Sequence, residues 1–108
     1  MPRTASMSPS ERSRDRYLVR TYGITALDYD ALLAAHDGTC WICGRPPKKR
    51  RLHVEHDHKT GRVRGLACWH CNRGLQQYSD EPARLRAAAD YLESDEADRI
   101  LRKGTDGN

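Results

Sequence analysis

The sequence predicts an α+β protein, a small zinc-stapled core of two strands followed by a helix, with further helices on its N- and C-terminal sides. Three observations predict it. Two Cys-x₂-Cys pairs, Cys40-Trp-Ile-Cys43 and Cys68-Trp-His-Cys71, stand 24 residues apart, a spacing that lets four thiolates meet around one Zn²⁺. Between them lie two β-like runs, Leu52 to Glu55 and Arg62 to Ala67, about the turn His58-Lys59-Thr60-Gly61. Outside the pairs, apolar residues recur at helical spacing.

Composition explains the staple. At 108 residues, with 37% hydrophobic residues and no Phe, the chain has room for one domain with a modest core, which a metal would reinforce. No apolar run approaches the roughly 18 to 20 residues of a membrane span. The opening MPRTASMSPSERSRDR lacks the apolar stretch of a secretory signal. A cytoplasmic location is therefore expected, and there clustered cysteines are metal ligands more often than disulfides.

The formal net charge of +4 is moderate but unevenly placed. Arg45, Lys48, Lys49, Arg50, Arg51, Lys59, Arg62 and Arg64 face only Glu55 and Asp57 in the middle of the chain, whereas acids outnumber bases from Asp80 onward. A basic middle is what a polyanion-binding surface needs.

Taken in order, residues 1–8 read as a disordered arm. Residues 9–38 hold two helices. The first, from Ser10 to Tyr22, places Tyr17, Leu18 and Tyr22 on one face and stops at Gly23. The second opens on Thr25 and Asp28, a capping-box pair, and carries Tyr29, Leu32 and Leu33 up to Gly38. Residues 39–78 form the zinc-bound core, in which Asn72 to Tyr78 is a short helix after the second cysteine pair. Residues 79–103 are a C-terminal helical segment. Ser79 or Asp80, then Glu81 and Pro82, start a helix with the apolar stripe Leu85, Ala88, Ala89 and Leu92, read as simple packing, and a second short helix covers Glu96 to Arg102. Residues 104–108 read as a disordered tail.

Four thiolates leave a tetrahedral zinc no open position, so Cys40, Cys43, Cys68 and Cys71 predict a structural site. A thioredoxin-like redox pair is the alternative, but its βαβ context is missing. The second cluster needs its own explanation, because His53, Glu55, His56, Asp57 and His58 fall within six residues. Phosphodiester hydrolysis requires a base for water and a hard cation with oxygen ligands. His56 suits the base, and Glu55 with the amide oxygen of Asn72 suits Mg²⁺. Strict alternation along a strand would put Glu55 and His56 on opposite faces. The strand must therefore end or bend between them.

The run Leu52-His-Val-Glu-His-Asp-His-Lys-Thr-Gly-Arg-Val-Arg-Gly-Leu-Ala-Cys-Trp-His-Cys-Asn72, preceded by Cys40-Trp-Ile-Cys43, resembles the recombination endonuclease VII family of bacteriophages. Tyr22-Gly-Ile-Thr and Asp28-Tyr-Asp ahead of the first knuckle add to the likeness, which covers roughly residues 20–78. The resemblance implies a Cys₄ zinc, a His-Asn-His-like ββα-metal active site, and Mg²⁺- or Mn²⁺-dependent cleavage of DNA leaving 5′-phosphate. In the best-known member it implies resolution of branched DNA as a homodimer. By position it assigns the acidic metal ligand to Glu55, the general base to His56 and the helical metal ligand to Asn72, with Asp57 and His58 as site support. Two positions depart from the family: Glu55 stands where Asp is usual, and Leu75 stands where the best-known member has an acid.

Blander readings apply to the remaining residues. His53 reads as surface or site support, His36 as a complement to a helix dipole, and His70 as a bystander. Trp41 and Trp69 read as covers for the zinc cluster. Lys48, Lys49, Arg50, Arg51, Arg62 and Arg64 read as DNA backbone contacts, with Arg62 and Arg64 on one strand face. The expected activity is a metal-dependent DNA endonuclease acting in the host bacterial cytoplasm. A non-catalytic zinc-ribbon module binding DNA or protein is the alternative, and an adaptor working with phage packaging or recombination proteins is a third class.

Overall fold

The computed structural model describes residues 7–106, with side chains through residue 102. Residues 1–6 of the expected arm and residues 107–108 of the expected tail lie outside the described residues. Met7 and Ser8, counted with that arm, belong to the fold: Met7 is buried, and Ser8 caps the first helix. Residues 104–106, counted with the tail, are helical.

The chain divides into two compact units between Gly74 and Leu75. In the first unit, α1 spans Pro9–Tyr22, and its start is a reciprocal box: the Ser8 hydroxyl accepts from the Glu11 N–H while the Glu11 carboxylate accepts from the Ser8 N–H. Gly23 ends the helix at φ 74°, a left-handed conformation that costs glycine little. Helix α2, Ala26–Ala35, opens with the same device from Thr25 and Asp28. Asp15 on α1 accepts from the Ala26 N–H at 2.7 Å, satisfying a donor at the start of α2 from outside that helix.

Strands β1, His53–His56, and β2, Val63–Ala67, pair antiparallel. Their register runs His53 to Ala67, Val54 to Leu66 and Glu55 to Gly65, then slips so that His56 faces Val63. Arg64 is thus the extra residue of a β-bulge on β2, opposite the Glu55-His56 step. Helix α3 spans Trp69–Gln77, three residues earlier than Asn72, so Cys71 itself is helical. A core of Leu18, Tyr29, Leu52, Val54 and Leu66 packs around Cys40, which is 1% exposed, so the cysteine cluster and the apolar core share a residue. The Tyr29 hydroxyl donates to the buried Leu52 carbonyl at 2.6 Å, tying α2 to the entrance of β1.

In the second unit, α3 ends at Ser79 and Asp80, both left-handed, with the Asp80 N–H bonded to the Leu75 carbonyl at 2.9 Å. Helix α4, Pro82–Glu93, begins on Glu81 without a side-chain cap, so neither Ser79 nor Asp80 serves as its N-cap. Helix α5 runs Glu96–Asp106. The stripe on α4 does not form a buried core, because among the described residues Leu85 and Ala88 are half-buried while Ala89 and Leu92 are exposed. Two short helices alone enclose too little volume to shelter it.

Candidate functional site

The cysteine knuckles converge as their spacing predicts. The sulfurs of Cys40, Cys43, Cys68 and Cys71 lie within 4.8 Å of one another, and those of Cys43 and Cys68 are 3.9 Å apart. Four ligands at zinc–sulfur bonds of about 2.3 Å would stand about 3.8 Å from each other, so the cluster fits a tetrahedral structural ion such as Zn²⁺. Backbone geometry prepares the thiolates. Burial opposes charge on Cys40, but the N–H groups of Cys43, Cys68 and Ile42 outweigh it and bring the thiol from 9.0 to about 6. Burial and the neighbouring sulfurs push Cys71 in the opposite direction. A cation relieves that conflict, since coordination deprotonates each thiol.

The hairpin carries the second cluster. Glu55 is buried, and its carboxylate is clamped by Arg64: Nε donates to Oε1 at 2.9 Å, and Nη2 donates to Oε2. The same Nη2 donates to the His56 carbonyl at 3.3 Å. Arg64 therefore does not share an exposed strand face with Arg62, because the bulge turns its side chain onto Glu55. The His56 ring is half-buried and lies near Tyr22 and His58, with centroids 5.6 Å and 4.7 Å away. Tyr22 comes from the last turn of α1, and burial foremost raises its phenol above the ordinary range.

Asp57 has a local task. Its carboxylate accepts from the Lys59 N–H at 2.8 Å and the Thr60 N–H at 3.2 Å, bonds that hold its carboxyl below the usual carboxylate range and shape the turn. His58 is exposed beside His56. Asn72 is half-buried, one residue beyond Cys71, and its N–H closes a helical turn onto the Cys68 carbonyl at 2.9 Å. The structure thus gathers Glu55, His56, His58, Arg64 and Tyr22, and fixes Asn72 on the helix that carries Cys71.

The tryptophans differ from each other. Trp41 lies on Gly65, where an added Cβ would meet its ring at 2.4 Å, and its Nε1 donates to the Leu32 carbonyl at 3.1 Å. His36 stands at the C-cap of α2, the helix end expected for it, and also stacks on that indole at 4.3 Å. Trp69 is 47% exposed, with the Arg73 guanidinium 5.2 Å from its ring. His70 packs edge-on against Trp69. His53 is half-buried, and its Nε2 is sheltered without a hydrogen-bond partner. Lys48, Lys49, Arg50, Arg51 and Arg62 are all exposed. Sequence reasoning missed Tyr22 and the Arg64 clamp. An isolated Gly inside a strand pattern was the available signal for the bulge and for the close approach of Trp41.

A thiolate cluster, an antiparallel hairpin and a helix rooted in the second knuckle define the class, a small zinc-knuckle α+β module with an imidazole and an acid on adjacent hairpin residues. The chain belongs to the recombination endonuclease VII family, whose model matches residues 15–94. It is 42% identical over 94 residues to the Gene 59 protein of Mycobacterium phage D29, covering 85% of this chain and 57% of that one. With the Gene 59 protein of Mycobacterium phage L5 it shares 49% over 72 residues, covering 66% of this chain and 42% of that one. The chain thus spans about half the length of the curated relatives it matches.

Proposed function

We propose that this chain is a metal-dependent DNA endonuclease of phage recombination, with His56 as its general base. The observation that carries the reading is that buried Glu55 and half-buried His56 are consecutive residues at the end of β1, in the hairpin between the two knuckles. His56 takes a proton from water as the water oxygen attacks phosphorus, and the bond from phosphorus to the 3′ oxygen breaks, leaving 5′-phosphate. Tyr22 and His58 border the imidazole and limit its rotation. Glu55 and Asn72 offer the oxygen donors that Mg²⁺ or Mn²⁺ prefers. When bound, that ion neutralises charge developing on the phosphate and the leaving oxygen.

Exposed Lys48, Lys49, Arg50, Arg51 and Arg62 contact the DNA backbone without reading sequence, so binding weakens steeply with salt. Among the described residues no helix is long and apolar enough to cross a membrane, and the reading places the enzyme with DNA in the host cytoplasm. Branched DNA is the proposed preferred substrate, cut by a homodimer.

The test is His56→Ala, assayed with Mg²⁺ on matched four-way, nicked and linear DNA. Cleavage falls by roughly 10² to 10⁴ while zinc content and melting stay unchanged. Undiminished cleavage removes His56 as the base, and no cleavage by the unsubstituted protein returns the chain to the class of binding modules.

A further inference from the structure

The Arg64 clamp on Glu55 is at odds with a simple cation site. A carboxylate offers two oxygens, and here Arg64 Nε engages one while Nη2 engages the other. The Glu55 side chain keeps 7% of its surface and that of Arg64 keeps 27%, so solvent meets the guanidinium more than the acid. As it stands, the acidic half of the donor set is already committed to a cation, and that cation is part of the chain.

We propose that Arg64 is a resident counter-ion that competes with the divalent cation for Glu55, and that loading with Mg²⁺ or Mn²⁺ turns the guanidinium away from the acid toward a DNA phosphate. The inference rests on the reading of Glu55 as a metal ligand and adds to it an exchange of partners within the chain.

Three features support the exchange. The first is placement. Arg64 is the bulge residue between the Gly65 and Val63 positions of the register, and alternation alone would aim it away from the face shared by Glu55 and Gly65. The bulge re-aims it, and the third contact, from Nη2 to the His56 carbonyl, holds it across the step that joins acid to base.

The second is charge. A buried carboxylate is costly without a cation beside it. Arg64 supplies that cation through both carboxylate oxygens until a divalent ion arrives.

The third is the chemistry of the leaving cation. A guanidinium fork matches phosphate as well as carboxylate, so a DNA phosphate can replace the partner that Arg64 gives up. Arg64 is also exposed enough to reach a ligand. Glu55, one methylene longer than the Asp usual in the family, has the reach for a bidentate pair.

The experiment compares Mn²⁺ binding by the zinc-loaded full chain with that of Arg64→Met, Arg64→Lys and Glu55→Gln, by calorimetry and by the paramagnetic resonance of free Mn²⁺. Arg64→Met removes the competitor and binds Mn²⁺ roughly tenfold tighter or more, a factor equivalent to about 1.4 kcal/mol. Arg64→Lys keeps the charge without the fork and falls between, which carries the comparison if Arg64→Met loses zinc or its melting transition. In the unsubstituted protein, the Arg64 Nε–H resonance shifts as Mg²⁺ saturates. Equal or weaker affinity in both Arg64 variants, or an Nε–H signal unmoved at saturation, overturns the exchange while leaving Glu55 as a ligand. Mn²⁺ binding that survives Glu55→Gln unchanged overturns the exchange and the ligand assignment together.

Discussion

The phenol ring of Tyr22 and the imidazole of His56 lie 5.6 Å apart and are inclined at 55°. Through that contact, helix α1 borders the proposed base, and the His58 ring also lies against it at 4.7 Å. Removing the ring widens the range of imidazole orientations without touching the zinc ligands. Tyr22→Ala is expected to lower the cleavage rate by about ten- to a hundredfold, chiefly in kcat, whereas Tyr22→Phe retains most of it. Single-turnover cleavage alongside melting curves makes the check. Equal losses in the two variants would point to the hydroxyl instead of the ring.

A second prediction concerns Gly65. A Cβ built there would fall 2.4 Å from the Trp41 ring, which is pinned by its bond to the Leu32 carbonyl and by the stacked His36. Gly65→Ala should therefore destabilise the first unit by about 1 to 3 kcal/mol, the usual range for overpacking. Trimming the indole in a Gly65→Ala/Trp41→Val double variant should cost less than the two single changes added together. Urea denaturation of all four proteins measures the coupling. Additive losses would show that the indole simply moves aside.

Much of this arrangement is legible in the residues. Thr25 with Asp28, Gly23 and the cysteine spacing are local signals, and each reports a device that closes within a few residues or around one ion. The need for a bend at Glu55-His56 follows from strand alternation alone. What alternation does not reveal is which strand absorbs the irregularity. That depends on pairing partners across the hairpin, so Arg64 reads as one of several basic backbone contacts until the register is known. Tyr22 is hidden for the same reason: its helical face predicts burial but not that His56 is what it meets. The α4 stripe shows the converse, because apolar periodicity identifies a face and says nothing about what covers it.

The third prediction follows from the ready ionisation of Cys40. A thiol whose folded-state value is depressed, here from 9.0 to about 6, adds stability that is complete above the higher value and disappears as the pH falls through the lower one. Metal retention follows the same direction, since the ligands must be thiolates. Zinc should therefore remain bound at pH 7 to 8 and be lost, together with the fold of the first unit, on acidification below about 6. A colorimetric zinc indicator read in parallel with circular dichroism tests this. Cys40→Ser should be more damaging than Cys43→Ser, because Cys40 is buried in the core and Cys43 is exposed. A chelated protein with an unchanged melting temperature would contradict the structural role of the site.

The second unit has a different character. Tyr91 and Leu92 are 79% and 81% exposed, and among the described residues α4 buries no side chain, so its backbone hydrogen bonds have little packing to protect them. Its amides should trade hydrogen for deuterium through frequent local opening, while those of β1 and β2 wait for the whole first unit to come apart. The boundary between fast and slow labelling then falls within α3, so a single helix is long-lived where it carries Cys71 and short-lived at its far end.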